Sequence, residues 1–182
     1  MSARWLVSAA IVVVAGCGGS PSRGSCSDGP PCALDCGPAV DAPPNEGQLH
    51  VPEPTMVDYQ SNPPASGPHW PMWQEPWQPY PDGLPRERWV HNLEHGGIVL
   101  LYNCYNCPGG CDDVVGELTA LWQATPPDRY NEQRVLIVPD SAMPHKVAAI
   151  AWGWRWQGES VDSGAIRCFM DARYDRAPES IP

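Results

Sequence analysis

Proline decides most about this chain before any periodicity is read. Its 182 residues include 23 prolines and 17 glycines. Proline fixes φ and removes a backbone donor, so a stretch rich in it can be neither a long helix nor an interior strand. Residues 18–47, GGSPSRGSCSDGPPCALDCGPAVDAPPNEG, show no apolar period of 2 or 3.6. They read as a tether unable to bury a core of its own, with Cys26, Cys32 and Cys36 available to staple part of it. Residues 48–90 stay proline-rich, and irregular chain of that length inside a domain needs a reason. Trp70, Trp73, Trp77 and Trp89 are expected to pin it, as an arm, onto the rest of the fold.

Regular structure is expected beyond Gly96. Gly97–Tyr102, GIVLLY, reads as a strand. Asp112 or Asp113 can cap a helix with Val114, Val115, Leu118, Leu121 and Trp122 at helical spacing, stopped by Pro126-Pro127. Arg134–Val138 is a second strand, and Lys146–Trp152 a third that can run on to Trp156. Asp162 or Ser163 can cap a last helix carrying Ile166, Phe169 and Met170. The order β-α-β-β-α predicts an α+β fold, its first two strands parallel through a right-handed crossover. A thioredoxin-like arrangement shares this order and is the alternative. Residues 48–182 are read as a single domain.

The chain's start reads as a processing signal. Arg4 precedes an apolar stretch, Trp5–Val14, too short to span a bilayer as a permanent helix. Val14-Ala15-Gly16-Cys17 resembles a bacterial lipobox, which makes residues 1–16 a signal peptide and Cys17 a lipidated N-terminus. Acyl chains would then be the membrane attachment, and the implied location is the cell envelope, at the outer membrane. The formal net charge of -10, with 11 Lys and Arg, argues against nucleic acid, because phosphate binding needs a cationic face. The sequence identifies no protein partner.

The candidate chemistry lies in VHNLEHGGIVLLY, residues 90–102. His91 and His95 would stand ~13 Å apart in a strand at ~3.3 Å per residue, but only ~6 Å apart in a helical turn at ~1.5 Å per residue. Gly96 is the residue expected just after such a turn, in the left-handed conformation. A turn ending at His95 therefore suits a metal site, with His69 arriving from the proline arm as a third imidazole and His50 or Glu94 as a fourth ligand or supporting partner. Imidazoles suit several transition metals. Export leaves copper or zinc as the candidates, and a Met72 thioether would favour copper. His91-Asn-Leu-Glu-His95 also spells the inverted zinc-protease motif, but two glycines and a strand follow at once, leaving little helix to present it. Pro64-Ala65-Ser66-Gly67 lacks the strand-to-helix frame of a nucleophile elbow. The balance favours binding over catalysis.

YQSNPPASGPHWP (59–71), VHNLEHGGIVLLY and AAIAWGW (148–154) together resemble a family of bacterial extracytoplasmic proteins known as domain of unknown function 3105. The resemblance covers roughly residues 48–182. Its PPxSGxH and HxLEHG motifs fall on His69, His91, Glu94 and His95, and His50 also looks like a family position, whereas His145 does not. It implies no activity.

Of the eight cysteines, seven remain beside Cys17, and export makes disulfides the default. Connectivity cannot be read from spacing. Cys104, Cys107 and Cys111 lie between a strand and a helix, where a redox or soft-metal pair can sit, though this cluster departs from the family pattern. Cys168 is a candidate for a bridge to that loop. Besides the metal-binding lipoprotein, two readings stay open: a metal-free interaction module stapled by disulfides, and a thiol redox protein using the Cys104–Cys111 loop.

Overall fold

The computed structural model describes residues 36–105 and 110–179. Cys17, the signal peptide, Cys26, Cys32 and Cys107 lie outside the described residues. Among the described residues, five strands and three helices are arranged in an α+β fold: β1 Val40–Asp41, α1 Arg86–Glu94, β2 Ile98–Tyr102, α2 Asp112–Gln123, β3 Val135–Pro139, β4 Val147–Ala151, β5 Trp154–Gly158 and α3 Ser163–Arg173. The sheet order is β1-β5-β4-β2-β3, with β2 and β3 parallel and every other pair antiparallel. Among the described residues no helix is long and apolar enough to cross a membrane.

Strand β2 is buried along its whole length, because both faces of the sheet are covered. Alternation divides its side chains. Ile98, Leu100 and Tyr102 join Leu118, Leu121, Ile166, Phe169 and Met170 in the core under α2 and α3. Val99 and Leu101 join Trp89, Val90, Leu93 and Ala65 in a second core under α1 and the proline-rich segment. That second core explains why the segment can be ordered without regular structure. Gly153 N–H donates to the Ala65 carbonyl at 2.7 Å, and Tyr80 N–H donates to the Ile137 carbonyl at 2.8 Å along β3. Buried apolar anchors and borrowed backbone partners together meet the accounting a buried loop requires.

Several elements depart from the sequence expectation. The third strand does not run to Trp156: it turns at Trp152-Gly153 and returns as β5. Gly153, at φ +72°, supplies the left-handed residue of that tight turn. Helix α2 is capped by Cys111, with Asp112 and Asp113 in its first turn, where carboxylates favour the helix dipole. Helix α3 follows the expectation, with Asp162 Oδ1 accepting from Ala165 N–H at 2.9 Å.

The tether also reaches the sheet earlier than residue 48. Val40 and Asp41 pair with Trp156 and Arg155, and the Arg155 guanidinium grips the Asp41 carboxylate. Cys168 is bonded to Cys36, not to the Cys104–Cys111 loop, and Cys104 and Cys111 pair with each other. The Cys36–Cys168 bridge spans 132 residues of sequence. Replacing both cysteines by serine is expected to cost about 2–5 kcal/mol by relaxing that closed loop in the unfolded chain. Urea unfolding under oxidising conditions measures it, and an unchanged midpoint would show that the bridge adds nothing to the fold.

Candidate metal centre

Helix α1 begins at Arg86, eight residues before its last member Glu94. It is a full helix of nine residues, not the single turn expected. Trp89, Val90 and Leu93 are its buried anchors, all at 0% exposure. Once those three face the sheet, His91, Asn92, Glu94 and His95 are fixed in direction too. Asn92 clips the arm, accepting from Gln74 N–H at 2.8 Å and donating to the Gln74 carbonyl at 2.9 Å. Gly96 takes φ +82°, the expected left-handed exit. A Cβ on Gly97 would stand 2.5 Å from the Trp77 ring, so the arm packs where a side chain would be.

The arm delivers the other rings. His69 N–H donates to the Leu49 carbonyl at 3.0 Å and Val51 N–H to the His69 carbonyl at 2.8 Å, a two-strand contact that sets His50 beside His69. In the PPASGPH stretch, Gly67 (φ +127°) lies against Tyr59, where a Cβ would approach its ring to 2.9 Å. The Ser66 hydroxyl accepts from Glu46 N–H at 2.9 Å. These contacts place His69 at 0% exposure beneath the last turn of α1.

His50, His69, His91 and Glu94 form one group, each offering a ligand atom within 4.8 Å of the others. Ring centroids of His50, His69 and His91 are 4.7–4.9 Å apart. His69 Nδ1 is 2.8 Å from the Gly67 carbonyl and His91 Nδ1 is 2.7 Å from the Trp70 carbonyl. A carbonyl only accepts, so both Nδ1 atoms carry the proton and both Nε2 atoms present lone pairs. His69 Nε2 then faces Glu94 Oε2 at 2.9 Å, and His50 Nε2 lies 3.8 Å from the same oxygen. Neither His69 Nε2 nor Glu94 Oε2 has a hydrogen-bond partner, although they are close enough for one. Two lone pairs at that distance repel unless a proton or a metal ion lies between them. In a tetrahedral zinc site, bonds of ~2.0–2.1 Å put neighbouring ligand atoms ~3.3 Å apart, close to the separations seen here. Three imidazoles and a carboxylate can therefore hold a metal ion.

Burial tunes the same groups. It lowers the His91 pKa to about 3, aided by His69, and it also lowers those of His69 and His95. Burial, with the Glu179 carboxylate second, raises the Glu94 carboxyl to about 7. The rings thus stay neutral ligands while Glu94 retains a proton in mildly acidic solution. Trp73 walls His91 and His95, with centroids at 5.4 and 4.6 Å, and Trp152 stands edge-on to His69 at 6.1 Å.

The grouping differs from the prediction at His95, and Glu179 joins it without having been predicted. His95 does not share the first group. It lies with Glu94 and Glu179 in a second, its ring 4.7 Å from His91. Met72 is 62% exposed, whereas the His69 and His91 rings are buried. Glu179, near the end of the chain, carried no motif and was not anticipated. The Glu179 N–H, donating to the Glu94 carbonyl at 3.2 Å, and Asp175 N–H, donating to the Gly96 carbonyl, bring it in. His145 sits apart, paired with Glu159 at 2.6 Å.

Metal affinity is expected to fall by about tenfold per pH unit below pH 7, because Glu94, protonated there, must lose its proton to bind. Competition titrations between pH 5 and 8 check this, and a flat profile would exclude Glu94 as a ligand. In the metal-free protein the depressed His91 pKa should make stability fall as pH drops from 6.5 toward 3, where the unfolded chain binds the extra proton. Glu94 acts oppositely: its contribution is complete below its ordinary 4.5 and is lost as pH rises through about 7. Thermal unfolding of the metal-free chain should therefore show a falling acid limb that shrinks in His91→Gln. An identical limb in that variant would contradict the assignment.

A family model described as "Protein of unknown function (DUF3105)" matches residues 50–181, which include every residue of both groups. No curated protein and no solved structure matches the chain. The chain belongs to that family.

Proposed function

We propose that this member of the DUF3105 family is a lipid-anchored protein of the cell envelope that binds a divalent transition-metal ion through His50, His69, His91 and Glu94. The observation that carries the reading is the pair of committed Nδ1–H groups, which leaves Nε2 of His69 and His91 as bare ligand nitrogens, with His69 Nε2 2.9 Å from Glu94 Oε2. Hydrogen-bonded corner histidines would instead be satisfied at both nitrogens. Zinc fits the neutral imidazole–carboxylate set best, with copper(II) the alternative. The lipobox-like Cys17 supports attachment at the outer membrane. His50, its side chain 46% exposed, gives the ion a route in and out. That suits storing or handing over metal rather than locking it away.

Elemental analysis of the purified protein tests this. At least one equivalent of zinc or copper is expected in the wild type. His69→Ala should weaken binding on the order of 100-fold, about 2.7 kcal/mol, with its circular dichroism unchanged. Equal metal content in the two proteins would reject the reading. A thiol redox role finds one favourable observation, the Cys104–Cys111 pair at the N-terminus of α2. Cys104→Ser with Cys111→Ser should leave metal content unaltered, and loss of metal in that variant would tie the loop to the centre.

A further inference from the structure

Glu94 belongs to two ligand groups at once, and the second is built as deliberately as the first. Its members, Glu94, His95 and Glu179, each offer a ligand atom within 4.8 Å of the others. The His95 side chain is 3% exposed and its Nε2 is buried without a hydrogen-bond partner. Glu179 Oε2 stands 3.6 Å from that nitrogen, beyond hydrogen-bond reach. Leaving a buried ring nitrogen unsatisfied is costly, and here it faces two carboxylates.

The backbone around His95 is held from three directions. The Arg134 guanidinium, 1% exposed, donates to the His95 carbonyl at 2.8 Å. Asp175 N–H donates to the Gly96 carbonyl at 2.9 Å, and Glu179 N–H to the Glu94 carbonyl. The segment after α3 is thus laced onto the exit of α1, which brings Glu179 to the site.

We propose that the centre is dinuclear: a second divalent cation is bound by His95 and Glu179, with the Glu94 carboxylate bridging it to the first. The proposal rests on the mononuclear reading above and extends it. A bridging carboxylate offers one oxygen to each ion, and two-metal sites of this kind hold their ions ~3.5–4 Å apart. The protein supplies three ligands to the second ion, so water or an exogenous anion completes its coordination. A cavity of about 830 Å³, lined by His95, Gly96, Arg129, Trp152, Asp175 and Glu179 among others, opens on that side. The first ion meets solvent past His50, whereas the second meets this cavity and keeps open positions.

Zinc stoichiometry of the full chain, with Glu179→Gln and His95→Gln, tests the proposal. Glu179 has a half-exposed side chain (41%), so its amide variant is expected to fold. The wild type should bind two equivalents and each variant about one. With copper(II) as the probe, the wild type should give a dipolar-coupled, attenuated paramagnetic resonance signal, and Glu179→Gln the signal of an isolated ion. One equivalent in wild type and Glu179→Gln alike, with an uncoupled copper signal in both, would overturn the second site and leave the first standing. No bound metal in any of the proteins would overturn both.

Discussion

Two N–H groups given to backbone carbonyls decide what the centre of this protein can do. An imidazole that donates from Nδ1 has one tautomer left when neutral, with its lone pair on Nε2. His69 and His91 both donate this way, to Gly67 and Trp70. The arm that presents those carbonyls therefore does more than cover the sheet: it selects the ligand form of two rings and aims them. Such outer partners commonly fix ring orientation in metal sites. Burial acts in the same direction by disfavouring the imidazolium. The remaining conflict, His69 Nε2 against Glu94 Oε2 at 2.9 Å, is relieved by a proton on Glu94 or by a metal ion between them.

The fold makes that arrangement affordable. Helix α1 is short for an independently stable helix, but Trp89, Val90 and Leu93 are wholly buried against β2–β4. Tertiary packing supports the helix, and its polar residues are turned toward the arm. His95, Gly96 and Gly97 then carry the chain from α1 to β2, with Trp77 and Asp175 packed close against the two glycines. The candidate metal ligands consequently hang from the best-buried part of the molecule, which holds them in place without an ion.

The sheet, the last two helices and the parallel β2–β3 pair were legible because their apolar periods are clean and their boundaries carry Gly, Pro or Asp. The β4–β5 hairpin was not. Trp152-Gly153 interrupts an apolar run by only one turn residue, and Trp154 and Trp156 look like its continuation. Helix α1 was hidden for a related reason: Pro85 ends a proline-dense stretch, and three anchors over five residues, Trp89, Val90 and Leu93, give too little periodicity to stand out. The histidine motifs were readable as a candidate site, and so was Gly96 as the exit from a turn. The division of the ligands was not. Which group His95 joins depends on Glu179, whose position is set by backbone bonds from Asp175 and Glu179 to the exit of α1. No local pattern encodes such a contact. Cys36–Cys168 lies equally beyond spacing arguments, since it joins the tether to the last helix.

Exposure separates the ligands into two kinds, and that bears on whether the ion is structural or exchangeable. His69, His91 and Glu94 are at most 2% exposed and are anchored by a helix and by backbone bonds. His50 is the outermost ligand, on a single extended segment whose neighbours Leu49 and Pro52 are exposed. Its attachment is the pair of backbone bonds between Leu49–Val51 and His69. Opening that short contact would remove one imidazole while the other three ligands keep their geometry. A structural ion, whose coordination positions are all filled by protein, gains nothing from a ligand that can open easily. An ion that is to be received and released would need a ligand able to leave first, and the arm would provide it without disturbing either core.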